Sequence, residues 1–416
     1  MLPPEDTNIS DIGSSSEDEE DHENYNDLDP DFDNENFRLP IDNQIDDDWS
    51  TDDEIPLSNL TNTQKKKTKS SITKKETNYK WEREDFQHCQ IPIQNEYEAP
   101  LHILTPLQYF QKFWDDSIIQ YIVDQTNIYS TLTTGSSINT NLSEIKSFLG
   151  ILLIMGIVQM PSFEDYWSIG TRYSLIADVM PVKRFKKLRR LIHFQDNNLP
   201  TNGDRLFKIR PLLEKIRLNC VRMESENLHS IDEMMIPYKG TKAGPLRQYM
   251  PKKPKKWGFK MFVRAGVSGI VYDFFIYTGS TTFDLIPFSE KESGLGCGGK
   301  VVVHLCKTLP NPKQSTVYFD NWFTSLDLIV LLKCELGINS LGTIRSNRLR
   351  GCNLEEDKSL LKKGRGNFDY KVDNSAGIAI VKWADTKCVT LASSCVSHTP
   401  VVQVKRYSKE EKKSEY

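Results

Sequence analysis

The run His229-Ser230-Ile231-Asp232-Glu233-Met234-Met235-Ile236-Pro237-Tyr238 sets two carboxylates inside a stretch that otherwise has the composition of a β-strand. Ionised side chains are costly inside a strand that packs on a core, so such a strand must open to solvent or to a ligand where they stand. A second run repeats the pattern: Val317-Tyr318-Phe319-Asp320-Asn321-Trp322-Phe323 is apolar up to the residue before its carboxylate. Around these two, 229–238, 259–267 and 271–277 are rich in β-branched and aromatic residues, with Ser268-Gly269 as a tight turn between the last two. A helix is expected over 299–309, a short buried strand over 316–319, a helix over 325–336 and a strand over 338–344. The order strand, strand, strand, helix, strand, helix, strand predicts an α/β fold with a mixed sheet and helices packed on its faces. Three more candidate strands follow, at 367–372, 377–383 and 388–392, and the polar stretch 407–416 is expected to fray.

Upstream of residue 227 the period changes to that of helices. Thr105-Pro106 is a helix start, with the threonine as cap and the proline in the first turn. Tyr109, Phe110, Phe113, Trp114, Ile118, Tyr121 and Ile122 then recur at helical spacing. A second helix is expected after Ser143 as cap, packing Ile145, Phe148, Leu149, Leu152 and Leu153 inward. A third runs from Pro181 through Phe185, Leu188 and Ile192, with Lys183, Arg184, Lys186, Lys187, Arg189 and Arg190 on its other surfaces.

The ends of the chain differ sharply in charge. The first 60 residues hold 21 Asp and Glu against Arg38 alone, too polar to bury a core, and are expected to be disordered. The remaining chain then carries 52 basic against 36 acidic residues, which turns a net charge of −4 into a basic body suited to a polyanion. Lys65-Lys66-Lys67-Thr68-Lys69 with Lys74-Lys75 fits a nuclear import signal, so a nuclear location is expected. The start Met1-Leu2-Pro3-Pro4 has no secretory pattern, and the longest apolar stretch, 148–158, is too short to span a bilayer. The eight cysteines include no C-x-x-C pair and no His at ligand spacing, so neither a zinc site nor a disulfide framework is expected.

Asp232 and Asp320, if their strands are neighbours, converge on one point and can hold Mg²⁺, which takes a few carboxylate oxygens plus water and phosphate. Taken singly, each aspartate serves equally well as a strand-end or helix cap. Between them lies Tyr249-Met250-Pro251-Lys252-Lys253-Pro254-Lys255-Lys256-Trp257-Gly258-Phe259-Lys260, a proline-stiffened basic loop with an aromatic residue. Lys252, Lys253, Lys255, Lys256 and Lys260 can neutralise phosphates, while Trp257 can stack on a base or pack beneath the loop.

These segments, together with Asp320-Asn321-Trp322-Phe323-Thr324-Ser325, Gly342-Thr343-Ile344-Arg345, Asn347-Arg348 and Trp383-Ala384-Asp385-Thr386-Lys387, resemble in order and spacing the piggyBac transposases and their domesticated derivatives. Upstream, Gly156-Ile157, Tyr166-Trp167 and Asp204-Arg205-Leu206-Phe207-Lys208-Ile209-Arg210-Pro211 are also similar to that family's helical region. The resemblance spans about 104–394. It implies a ribonuclease-H-like sheet, cut-and-paste DNA transposition by three aspartates and two metal ions, and catalytic and metal roles for Asp232 and Asp320. It also implies DNA contacts by the basic loop, Arg345 and Arg348. The division it implies is an acidic tail over 1–80, the first half of a helical dimerisation and DNA-binding region over 81–226, a catalytic-type core over 227–346, a β-rich insertion over 347–396 and a charged tail over 397–416.

In the family, Ser393-Ser394 is followed by a helix bearing Gly-Gly-Val-Asp and the third aspartate. Here the sequence runs to Tyr416 without it, and Asp385 belongs by resemblance to the insertion. The expectation is therefore a transposase-derived DNA-binding protein without strand-transfer activity, partnered by DNA and by itself or a related full-length transposase, with no membrane and no small-molecule substrate. The alternatives are a fragment of an active transposase, and a chromatin interaction protein for which DNA is irrelevant.

Overall fold

The computed structural model describes residues 78–87, 103–223, 226–238, 240, 243–251 and 253–403, and the backbone of 406–408 and 413–415. The acidic stretch, its lysine cluster and Lys252 lie outside the described residues. The helical region comprises α1 (Pro106–Gln111), α2 (Asp116–Thr134), α3 (Leu142–Ile157), α4 (Ser174–Ala177), α5 (Val182–Leu191) and α6 (Arg210–Val221). Thr105 caps α1 as expected, in a reciprocal box with Gln108. The apolar spacing over 109–122 nevertheless belongs to two helices. Asp115 accepts the N–H groups of Ser117 and Ile118 and starts α2 afresh, a local bond that outweighs the continuous pattern. Likewise Asn141, not Ser143, caps α3 by accepting the Glu144 N–H at 3.0 Å.

α2, α3 and α5 share a core of Ile118, Ile122, Phe148, Ile151, Phe185 and Leu188. An ion pair fixes their mutual positions. Arg184 on α5 donates to both carboxylate oxygens of Glu144 on α3 at 2.6 and 2.7 Å, and to the Ile138 carbonyl.

From residue 228 the chain builds β1 (Leu228–Pro237), β2 (Gln248–Tyr249), β3 (Trp257–Gly266), β4 (Val271–Ile276), α7 (Glu290–Ser293), α8 (Cys297–Cys306), β5 (Thr316–Phe319), α9 (Leu326–Leu331), a π-helical turn over Leu332–Leu336, β6 (Asn339–Thr343), α10 (Asp357–Lys362), β7 (Phe368–Asp373), β8 (Ile378–Ala384) and β9 (Cys388–Ser393). These strands form one mixed sheet in the order β2-β3-β1-β5-β6-β9-β8-β7, with β4 on the outer side of β3. β1, β5 and β6 run parallel, and the remaining pairs are antiparallel. The strands β7, β8 and β9 extend the central sheet through the β6–β9 pair. The expected frayed end is also paired: Arg406–Ser408 and Lys413–Glu415 form an antiparallel ladder.

α8 and α9 bury one face of the sheet through Val301, Val302, Leu305, Leu328 and Ile329 against Ile231, Phe262, Val317 and Phe319. On the other face α6 packs Leu213, Ile216 and Cys220 on Met261, Val263 and Phe274. That second contact is reinforced by Arg217 of α6, which donates to the buried Asp273 of β4 at 2.6 Å. The helical region and the sheet are therefore joined by a core of their own. No helix among the described residues is long and apolar enough to cross a membrane.

Candidate functional site

The parallel ladder between β1 and β5 ends at the pair Ile231–Phe319, so Asp232 and Asp320 occupy the next register position on adjacent strands. Strand alternation turns Ile231 and Phe319 into the core beneath α8 and α9, and leaves both aspartates exposed on the opposite side. Neighbouring strands lie about 4.8 Å apart, so the backbone brings these two positions next to each other at the carboxyl end of β5. Asp232 continues in the ladder, opposite Val263 of β3, and its Oδ1 accepts the Glu233 N–H at 2.8 Å. Asp320 begins a turn: its Oδ1 accepts the Trp322 N–H at 2.9 Å, and its carbonyl accepts the Thr324 hydroxyl at 2.7 Å.

The turn after Asp320 is held from three sides. Trp322 stacks on Phe262 with centroids 5.7 Å apart and planes 11° from parallel. Arg348 Nη1 donates to the carbonyls of Asn321, Trp322 and Thr324 at 2.9–3.1 Å, and Arg345 Nε donates to Asn321 Oδ1 at 3.2 Å. Two glycines let backbone approach: a Cβ on Gly298 would lie 2.8 Å from the Trp322 carbonyl oxygen, and one on Gly342 would lie 2.4 Å from Thr324 Oγ1. The two arginines expected at DNA thus brace the loop that carries Asp320.

The basic loop divides in the same way. Lys255 and Lys256 are exposed, whereas Lys253 reaches back to Glu233 of β1 at 3.1 Å. Trp257, half exposed, stands opposite Tyr249 on β2, with the Arg247 guanidinium over its ring at 4.3 Å. Lys260 departs from the expectation. It is buried, its Nζ 4.9 Å from the ring centroids of both Phe262 and Trp322, so its ammonium faces the aromatic cluster below the sheet and no phosphate. Strand alternation is the cause, because Lys260 pairs with Met235 on the face opposite Asp232. Burial pulls its pKa down to about 7, against the attraction of Glu233. Burial likewise raises the Glu233 carboxyl, with the Lys253 bond opposing.

Glu233 and Arg247 escaped the sequence reading. For Glu233 the signal was present: next to Asp232 on one strand, it must face the other side, where Lys260 lies. Arg247 carried none, since its partner is set by the short β2–β3 pairing. Asp385 sits in the β8–β9 turn, ion-paired with Arg365.

Asp232 and Asp320 retain oxygens beyond those that cap the turns, and two carboxylates with water and phosphate suffice for a Mg²⁺ ion. Together they would hold it through one oxygen each. No group of three potential metal ligands forms among the described residues.

A family model described as Transposase IS4 matches residues 105–416. The human piggyBac transposable element-derived protein 3 is 31% identical over 344 residues, 80% of this chain and 56% of that protein. The human piggyBac transposable element-derived protein 2 is 32% identical over 314 residues, 73% of this chain and 51% of that protein. The chain thus spans about half the length of the curated relatives it matches. Among solved structures, a piggyBac transposase in a synaptic complex with hairpin DNA superposes with a TM-score of 0.59 at 24% identity, covering 75% of this chain and 64% of that one. That likeness supports the mixed α/β fold.

Proposed function

Because the chain belongs to the piggyBac transposase family, we propose that it is a transposase-derived DNA-binding protein whose exposed Asp232–Asp320 pair is the remnant or the part of a phosphodiester-transfer centre. The observation that carries the reading is the placement of two exposed aspartates at adjacent positions of parallel-paired chain, in a sheet whose β2–β3 connection exposes Lys255 and Lys256. In this reading the sheet is ribonuclease-H-like, 81–226 serves dimerisation and DNA contact, 227–346 is the catalytic-type core, and 347–396 is the insertion. Residues 1–80 and 397–416 are its acidic and charged tails, and the lysine cluster directs the protein to the nucleus.

DNA is the partner on charge and on kinship, since the solved relative is described in complex with hairpin DNA. Mg²⁺, when bound, supplies charge neutralisation at a phosphate. The residues of this chain contribute two carboxylates to orient it, and a braced turn to keep Asp320 in place. Strand transfer by two-metal chemistry asks for more ligands than this pair offers. The described residues are therefore assigned binding and not cutting.

The experiment is a salt titration of duplex binding by the full chain, run beside a Mg²⁺-dependent nicking assay. Binding that weakens steeply with salt and no nicking is the expected outcome. Nicking that disappears in Asp232→Ala would replace this reading with that of an active transposase. Salt-independent or absent DNA binding would favour a protein-interaction role instead.

A further inference from the structure

We propose that the ring pair Tyr249–Trp257 is a stacking site for an unpaired nucleotide base, so that the basic hairpin prefers distorted or single-stranded DNA to regular duplex. The proposal rests on the DNA-binding reading and deepens it.

The two residues are direct cross-strand partners on β2 and β3. Their ring centroids lie 4.8 Å apart with planes tilted by 46°, and the residues are 51% and 46% exposed. Trp322, by contrast, is half-buried and packs its ring against Phe262. Arg247 lies 4.3 Å over the indole, and its Nε is buried without a hydrogen-bond partner among the described residues. The result is a pre-formed cluster of cation, indole and phenol about half of whose ring surface remains exposed. Lys255 and Lys256 immediately precede it, exposed, and supply positive charge for a backbone running past the rings.

Chemistry selects the ligand. In regular duplex each base has its faces covered by its neighbours, so duplex offers the hairpin phosphates and base edges but no free ring face. A base out of the stack offers a face as well, and stacking on an aromatic side chain tolerates any base. Lysines plus exposed rings therefore discriminate by DNA structure and not by sequence.

The test compares the full chain on a fluorescently labelled duplex and on the same duplex carrying a central two-nucleotide bulge, at one salt concentration. The expected result is tighter binding to the bulged DNA. The ratio of the two affinities should fall about tenfold in Trp257→Ala. It should fall also in Tyr249→Ala, and survive largely in Trp257→Phe. Lys255→Ala with Lys256→Ala should weaken both complexes alike and leave the ratio. Because each ratio comes from one preparation, a partly unfolded variant does not imitate the effect. A wild-type ratio near one, or a ratio unmoved by Trp257→Ala, overturns the stacking site while the DNA-binding reading stands. No binding to either DNA overturns the two together.

Discussion

Lys260 shows how a single position can reverse its meaning between sequence and structure. In the sequence it closes a row of lysines; in the sheet it lies beneath the strand, between Phe262 and Trp322 and on the same face as Glu233 of β1. Its pKa, pulled down by burial to about 7, lies well below the usual lysine value near 10.5. Between those two values the unfolded chain holds a proton that the folded chain has released, so this residue makes stability rise with pH across that window. Well below pH 7 both states are protonated, and the cost of burying the ammonium is present in full. Lys260→Met removes a cost that wild type bears mainly at low pH. Its melting temperature relative to wild type should therefore be highest near pH 7 and decline toward pH 10. Melting curves for the two proteins at half-unit steps of pH check this, and parallel profiles would refute the buried titration. His229 adds an independent signature at lower pH. Burial holds its imidazole down to about 4, so the folded state loses stability as pH falls from about 6.5, an effect that His229→Gln should remove.

At the scale of elements, the loop from Asp320 to Thr324 is positioned by what crowds it. Gly342 on β6 is the sharpest case, since an added Cβ meets Thr324 Oγ1 at 2.4 Å and the Phe319 carbonyl oxygen at 2.8 Å. One of those neighbours is backbone, so relief requires β5 or the turn to move. Gly342→Ala should therefore lower stability by about 1–3 kcal/mol in chemical denaturation, the usual cost of overpacking. A neutral result would mean that the turn is not tightly seated. The same crowding explains what the sequence displays and what it hides. The strands around Asp232 and Asp320 were legible because β-branched and aromatic runs bounded by turn residues have few alternatives, and the edges of β1, β3 and β5 fall within two residues of expectation. The break between α1 and α2 was not, because apolar spacing continues across it and only the Asp115 side chain, capping α2, marks the new start. Nor was the role of Arg345 and Arg348 as braces. An arginine that donates to backbone carbonyls has the same one-letter symbol as one that meets a phosphate, and long-range geometry alone tells them apart.

Across the whole molecule, the proposed function raises the question of how a chain of net charge −4 would engage a polyanion. The charges are segregated along the sequence, so the field near the hairpin is set by local lysines and not by the total. Lys255 and Lys256 are exposed and free to reach phosphate, whereas Lys253 is committed to Glu233 at 3.1 Å. On α5, Lys183, Lys187 and Arg190 are also exposed, while Arg184 is spent on Glu144. Each lysine that neutralises one phosphate contributes about 0.9 to the slope of log affinity against log salt. The double variant Lys255→Ala, Lys256→Ala should therefore reduce that slope by about 2. Lys253→Ala should change it little, because that charge already has a partner. A set of binding isotherms from low to near-physiological salt measures both slopes. Equal losses for all three lysines would show that the Lys253–Glu233 pair opens when DNA arrives. Unchanged slopes for all of them would move the DNA path off the hairpin and onto the exposed face of α5, where the same measurement on Lys187→Ala, Arg190→Ala would then show the loss.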